Sequence, residues 1–223
     1  MFIFKGRYLL KFKSIKSSSI IGRTLSLYNH LDIFIRQNKE STCVANCNSC
    51  CNNYFYISEW EYYTLLFYVL STYDDEYINS KIGYSIDCLD MIQNTYPDEA
   101  KRLDYNAKSS TTYSDYVCDN CDIIIRCPFL NEKGLCDIYE VRPLICRLYG
   151  TFMHASCQKI NCANLISIEK FEYLNLIDEL ICPNGSFRKP YPIIDWLGSM
   201  TIKIISSGKF KKSYSADKVK FYY

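Results

Sequence analysis

Four cysteines fall within nine residues in the first quarter of the chain: Cys43, Cys47, Cys50 and Cys51. Thiolates this close together repel one another unless a cation lies among them, and zinc or iron supplies that cation. The Asn and Ser residues between them are poor helix formers, which favours a turn or knuckle over a helix. Burial as small apolar side chains is the alternative for free cysteines, but four in polar surroundings favour a metal site. Because Cys50 and Cys51 are adjacent, one of them is expected to bind a second metal or to be redox-active.

A second group follows later in the chain and consists of Cys127, Cys136 and Cys146. Asn131 to Gly134 predict a tight turn between two short extended pieces, which would bring Cys127 toward Cys136. Pro143 suits the first position of a short helix that ends at Gly150 and presents Cys146.

Three arginines lie beside the second group: Arg126, Arg142 and Arg147. A four-thiolate zinc site or an iron–sulfur cluster carries residual negative charge, which guanidinium groups can offset. Ordinary surface pairs with Asp137 or Glu140 explain the same arginines equally well. Both interpretations remain open.

The CxxxCxxCC segment, followed by CPFL…GxCxIYExRPxxCR, resembles the YkgJ-type cysteine-cluster family, which is described as a zinc- or iron-chelating domain. The resemblance covers about residues 40–150, and the first motif has one residue more than the CxxCxxCC spacing frequent in the family. It implies seven metal ligands and no particular activity: Cys43, Cys47, Cys50, Cys51, Cys127, Cys136 and Cys146. Flagellin lysine methylase-like proteins have a similar cysteine arrangement, but they are longer and differ in the spacing before the last cysteine.

The role of five further cysteines stays open: Cys118, Cys121, Cys157, Cys162 and Cys182. The first two form a CxxC pair, which indicates metal or redox chemistry or is a chance pair. The other three match no ligand spacing strongly, although they could add ligands to an iron–sulfur cluster. Cys88 lies in an apolar helical pattern and is expected in the core. Both histidines are expected to be structural, with His154 the better ligand candidate and His30 the poorer one.

The composition is that of a soluble globular protein except for 13 cysteines in 223 residues. A net charge of +2 is too small to indicate a polyanionic partner such as nucleic acid for the whole chain. We find neither an export signal nor a stretch of about 20 apolar residues that could span a bilayer. The cytoplasm, where thiols stay reduced, is therefore the expected location. We attribute the 21 tyrosines to the coding bias of an AT-rich genome.

Apolar periodicity and capping signals predict helices on either side of the first cysteine group. The pattern over residues 20–37 predicts an amphipathic helix. Ser58 and Glu61 fit a capping box in front of an apolar run that is typical of a buried helix. A further helical pattern covers residues 74–106, and Pro97 is expected to break or restart it.

The remaining segments predict a loop over 107–122 and a helix over 165–181. We divide the chain into a basic N-terminal arm, one cysteine-cluster domain with its motif core at 40–150, and a basic aromatic tail: residues 1–20, 21–205 and 206–223. No parallel-sheet pattern is present. The expected fold is mostly α, a small helical domain with irregular cysteine-rich loops that hold metal.

The function favoured by these patterns is metal binding, with the centre structural or used in metal handling. An iron–sulfur-dependent oxidoreductase or protein-modifying enzyme is the alternative, and a cysteine-rich interaction protein that uses the basic arm and tail is a second one. We identify no catalytic residue, because the chain has no phosphate-binding glycine loop, no HExxH and no GxSxG. The identity of the metal, the substrate and the oligomeric state are left open.

Overall fold

The architecture is mostly α, as predicted, with one two-stranded sheet in the described part of the chain. The computed structural model describes residues 19–38, 48–98, 100–101, 123–149 and 191–200. The helices are α1 Ile20–Asn38, α2 Glu59–Thr72, α3 Asp75–Thr95, α4 Leu144–Leu148 and α5 Ile193–Asp195, which a π-helical turn, Trp196–Met200, continues. Two 3-10 turns, Ser49–Asn52 and Tyr139–Val141, and two strands, β1 Tyr56–Ile57 and β2 Tyr191–Pro192, complete it.

Helix α1 covers the predicted segment and packs against α2 through a buried face that includes Leu27, Tyr28 and Leu31. The capping box at the start of α2 is confirmed. Ser58 Oγ accepts from the Glu61 backbone N–H at 3.3 Å, and Glu61 Oε2 accepts from the Ser58 N–H at 2.9 Å. These two bonds satisfy backbone donors that a helix start otherwise leaves unpaired.

Helix α3 begins at an Asp74 N-cap, whose carboxylate accepts from the Tyr77 N–H at 2.8 Å. It ends at Thr95, just before Pro97, so the predicted break is confirmed. A proline cannot continue the helical hydrogen bonds and disfavours the helical conformation of its predecessor.

The described C-terminal segment, residues 191–200, contacts β1, α2 and α3. Strands β1 and β2 pair antiparallel, with Ile57 opposite Tyr191. The Trp196 indole N–H donates to the Ile57 carbonyl at 3.0 Å, and its ring stacks on Tyr62 with a centroid distance of 4.7 Å. The π-helical turn then packs on α3, where a Cβ at Gly198 would lie 3.1 Å from Leu89 Cδ1.

Several predicted segments lie outside the described residues: most of the basic arm, the 107–122 loop, the 165–181 helix and the 206–223 tail. The predicted division into arm, domain and tail therefore stays a prediction. None of the helices in the described ranges is long and apolar enough to cross a membrane.

Candidate metal centre

The described end of the first cysteine group is a 3-10 turn, Ser49–Asn52, as the turn prediction required. The Cys51 N–H donates to the Asn48 carbonyl at 2.9 Å, and the Asn52 side chain donates to the same oxygen at 3.3 Å. Cys43 and Cys47 lie outside the described residues, and for Cys50 the description is limited to its backbone.

The turn predicted between Cys127 and Cys136 is confirmed. Its ends pair through the Asn131 N–H, which donates to the Leu135 carbonyl at 2.9 Å. Asn131 Oδ1 accepts from the Lys133 and Leu135 N–H groups at 3.0 Å each, an Asx arrangement that holds the loop closed. Gly134 has a φ of 72°, the left-handed conformation that glycine adopts most readily. The turn folds Cys136 back to form an antiparallel bridge with Leu130.

The two cysteine groups meet directly through their backbones. The Cys127 N–H donates to the Cys51 carbonyl at 2.6 Å, and the Ile125 N–H donates to the Asn52 carbonyl at 3.3 Å. Asn53 and Ile124 form an antiparallel bridge beside them. Segments far apart in sequence therefore lie side by side as a short ladder, with a cysteine of each group on it.

The two turns also lie close to each other. The Asn48 side-chain nitrogen lies 3.6 Å from the position that a Cβ would take at Gly134. The first group therefore borders both the ladder at Cys127 and the turn that precedes Cys136.

Cys146 lies in α4, a helix of only five residues. We expected Pro143 at its first position, but Pro143 is the N-cap, with an extended ψ of 161°, and the helix begins one residue later. The Pro143 carbonyl accepts from the Arg147 N–H at 3.2 Å. At the other end of α4, the Asn53 side chain donates to the Tyr149 hydroxyl at 3.0 Å, which connects the helix to the first group. The predicted stop, Gly150, lies outside the described residues.

The backbone N–H of Leu144, at the start of α4, donates to Glu61 Oε1 at 2.6 Å. The same oxygen accepts from the Tyr28 hydroxyl at 3.2 Å. Burial raises the pKa of Glu61, although the hydrogen bonds from Leu144 and Ser58 oppose that rise. Burial, followed by the nearby Glu61 carboxylate, raises the pKa of Tyr28 well above its ordinary value. Nothing in the sequence pattern indicated that the capping glutamate of α2 also reaches α4.

Arg147 is buried and is held by groups other than Asp137 and Glu140 side chains. Its guanidinium pairs with Asp32 of α1, and its Nε and Nη2 donate to the Arg142 and Glu140 carbonyls at 2.9 and 2.7 Å. The guanidinium also lies 4.2 Å from the centre of the Tyr28 ring.

The other two arginines are also engaged within the protein. Arg142 Nη2 lies 3.5 Å from Asp32 Oδ1, and Arg142 Cζ lies 4.0 Å from the centre of the Tyr139 ring. Arg126 Nη2 donates to the Asn131 carbonyl at 2.8 Å. The carboxylate that pairs with Arg142 and Arg147 is thus Asp32 of α1, and not Asp137 or Glu140 as the alternative expectation had it.

Tyrosines of α2 and α3 hold the segment that follows Cys136. The Tyr73 and Tyr77 rings stack with a centroid distance of 4.0 Å, and both hydroxyls donate to Asp137 at 2.7 Å, one to its carbonyl and one to its carboxylate. Tyr68 donates to Glu140 Oε2 at 2.9 Å. Burial and the hydrogen bond to Asp137 raise the pKa of Tyr77. Coding bias alone therefore does not account for these three tyrosines, because their hydroxyls hold the segment after Cys136.

The described candidate ligands all pack against the hydrophobic core: Cys51, Cys127, Cys136 and Cys146. Within the described ranges, no three Cys, His, Asp or Glu side chains lie close enough together to share a metal ion. A donor set of thiolates suits zinc or an iron–sulfur cluster better than magnesium or calcium, which take oxygen ligands.

Cys88 is 8% exposed in α3 and packs in the core, as expected. Burial raises the pKa of its thiol. His30 is half-buried on α1. The other cysteines without an assigned role, together with His154, lie outside the described residues: Cys118, Cys121, Cys157, Cys162 and Cys182.

Residues 42–164 match the model of a family described as "CxxCxxCC: Putative zinc- or iron-chelating domain". The matched span contains both cysteine groups, the ladder between them and α4. No curated protein and no solved structure matches the chain.

Proposed function

Because the chain belongs to the CxxCxxCC family of zinc- or iron-chelating domains, we propose that it is a metal-binding protein whose two cysteine groups together hold a zinc or iron–sulfur centre. The proposed ligands are the seven cysteines of the two groups: Cys43, Cys47, Cys50, Cys51, Cys127, Cys136 and Cys146. We further propose that it acts in the cytoplasm, where thiols remain reduced and available to metal.

One observation carries this proposal, the 2.6 Å hydrogen bond from the Cys127 N–H to the Cys51 carbonyl. It places the end of one cysteine group beside the start of the other. Thiolates gathered around such a contact would repel one another without a cation, and the pKa values of thiols fall when a metal binds. The juxtaposition is therefore favourable when a metal is present.

The centre would join three parts of the structure. Those proposed ligands that lie in the described ranges come from the 3-10 turn at Ser49–Asn52, from the segment around the Asn131 turn, and from α4, and each of these parts packs against the core. Thiolate zinc sites with four protein ligands leave no open position and stabilise folds, whereas iron–sulfur clusters add electron transfer. We accordingly assign the centre a structural role, with metal handling or electron transfer as the activity to be tested.

Elemental analysis of the full chain, purified without oxygen, tests the proposal. Roughly one or two zinc atoms per chain, without colour, would identify closed thiolate sites. About four iron atoms with matching sulfide and visible absorbance would identify a cluster. A chain with neither metal would contradict the proposal.

The ligand assignment is tested by Cys136→Ser, with Cys88→Ser as the matched control. Cys88 is a buried cysteine outside both groups, so its substitution should leave the metal content unchanged. Cys136→Ser should lower the metal content and the stability together, because metal binding and folding are coupled. Equal metal content in the two variants would refute the assignment.

A further inference from the structure

We infer that a polar cluster of Tyr28, Asp32, Glu61 and Arg147 positions Cys146 for the metal centre. The inference deepens the proposed function and rests on it, since it assigns residues of α1 and α2 to the support of one proposed ligand. All four side chains lie outside the set of proposed ligands.

Helix α4 requires support from outside itself. It has five residues, far fewer than the roughly 12–15 that an isolated helix needs for even marginal stability. Its N-cap is Pro143, whose side chain offers no hydrogen-bond acceptor, and no side-chain cap bond is formed there. The N–H of Leu144 is instead satisfied by Glu61 Oε1 from α2 at 2.6 Å.

Glu61 is itself fixed by its neighbours. Its Oε2 accepts from the Ser58 N–H at 2.9 Å, and its Oε1 accepts from Tyr28 as well as from Leu144. The residue is 3% exposed. A carboxylate held on both oxygens in a buried place gives α4 a defined starting point.

Arg147 anchors α4 on the other side of the cysteine. The Asp32 carboxylate and the carbonyls of Arg142 and Glu140 accept from all three guanidinium nitrogens. Cys146 therefore lies between two fixed points, the Leu144 N–H and the Arg147 side chain. Arg147 thus serves as an anchor that ties α4 to α1.

The test uses Glu61→Gln in the full chain, with Ser58→Ala as control. Glutamine has nearly the same shape but only one acceptor oxygen, so it cannot accept from both the Ser58 and the Leu144 N–H groups. Ser58→Ala removes the other half of the capping box and leaves the Glu61–Leu144 bond in place. We expect Glu61→Gln to speed metal transfer to a chelator by about 10- to 100-fold, as when a group that orients a ligand is lost, and Ser58→Ala to change it much less.

A double-mutant cycle separates positioning from general destabilisation. If Glu61 acts through Cys146, adding Glu61→Gln to Cys146→Ser will not speed metal transfer further. An equal acceleration in the wild-type and Cys146→Ser backgrounds would overturn the inference.

A readout that does not need metal is alkylation by iodoacetamide in the purified full chain, followed at Cys146 and Cys136 by mass spectrometry. Glu61→Gln should raise the rate at Cys146 and leave that at Cys136 unchanged, and Ser58→Ala should raise neither selectively. If the wild-type chain contains no metal, the proposed function is wrong, and this comparison still decides the positioning. An unchanged Cys146 rate, or an equal rise at both cysteines, would overturn the inference.

Discussion

Tyr77 of α3 donates its hydroxyl to the carboxylate of Asp137 at 2.7 Å, on the residue directly after Cys136. Tyr73, stacked on Tyr77, donates to the carbonyl of the same aspartate. The segment that follows Cys136 is thus held by helices that carry none of the proposed ligands. The contacts that hold it can be tested by single substitutions.

Substituting Tyr77 by Phe removes a hydrogen bond to a charged group and keeps the stacked ring. We expect the free energy of unfolding to fall by about 1.5 kcal/mol. Urea unfolding followed by tryptophan fluorescence measures it, with an unchanged dependence on urea showing that the folded state is otherwise intact. Tyr96→Phe is the control, since Tyr96 is 42% exposed, and this substitution should change the free energy of unfolding by less than about 0.5 kcal/mol. Equal changes in the two variants would mean that the hydrogen bond to Asp137 contributes nothing to the free energy of unfolding.

Substituting Asp32 by Ala leaves the buried guanidinium of Arg147 without its carboxylate. The Arg147 side chain is 1% exposed and that of Asp32 30%, so we expect a loss near the lower end for broken buried pairs, about 3 kcal/mol. Asp98→Ala removes a fully exposed carboxylate from its pair with Lys101 and should change the free energy of unfolding far less, because water and salt screen exposed ion pairs. Chemical unfolding of both variants gives the comparison. A loss for Asp32→Ala as small as that for Asp98→Ala would show that the Asp32 carboxylate is dispensable.

Two glycines should respond to alanine in opposite directions. Gly134 has a positive φ, so Gly134→Ala should lower the free energy of unfolding by about 1–2 kcal/mol through backbone strain. A steric clash would not contribute, because the new Cβ would lie at an ordinary contact distance from Asn48. Gly83 lies within α3, where a Cβ meets nothing within 4 Å, so Gly83→Ala should stabilise by about 0.5–1 kcal/mol. Thermal unfolding of the two variants shows the signs. Asn tolerates the left-handed conformation, so Gly134→Asn should recover part of the loss. If Gly134→Ala matched the wild type, the turn would not require a left-handed residue.

Titration of Tyr84 should make the free energy of unfolding fall as the pH rises in the alkaline range. Burial, with its hydrogen bond to Cys88, raises the pKa of Tyr84 to about 12 from an ordinary value of 10.0. Between these values the unfolded chain releases the proton and the folded chain keeps it. The free energy of unfolding therefore falls as the pH rises through this window, and the contribution is fully present below pH 10.

The measurement is the thermal midpoint of the full chain at several pH values on either side of the ordinary tyrosine pKa. Tyr84→Phe also loses the hydrogen bond to the Arg126 carbonyl, so its midpoint should be lower throughout, but it should fall less steeply in alkali. Parallel curves for the two proteins would mean that Tyr84 titrates alike in the folded and unfolded states.

Local signals in the sequence predicted local structure well. The Ser58–Glu61 capping box and the Asn131 turn depend on residues within a few positions of one another, so spacing alone indicates them. The end of α3 before Pro97 follows from proline chemistry in the same way. In each case the partners of a backbone group lie within one turn of chain.

Long-range partners could not be predicted from spacing. We sought the carboxylate partner of Arg147 among nearby acids, whereas it is Asp32, which lies across the fold in α1. The hydrogen bond between Cys127 and Cys51 has no sequence signature either, because any two backbones can form it. The identity of the metal depends on the number of ligands and on their environment. Two groups of cysteines in a sequence suit zinc and iron equally well, so their spacing does not distinguish the two metals.

The family match begins at residue 42, yet α1, Ile20–Asn38, lies before that boundary and supplies Tyr28 and Asp32. A fragment cut at the boundary would remove the Asp32 carboxylate that pairs with the Arg147 guanidinium and would uncover the side of α2 that α1 packs against. The helical layer that packs around the proposed ligands therefore extends N-terminal to the residues that the family match covers. We expect a stable fragment of this chain to require α1 in addition to the matched stretch.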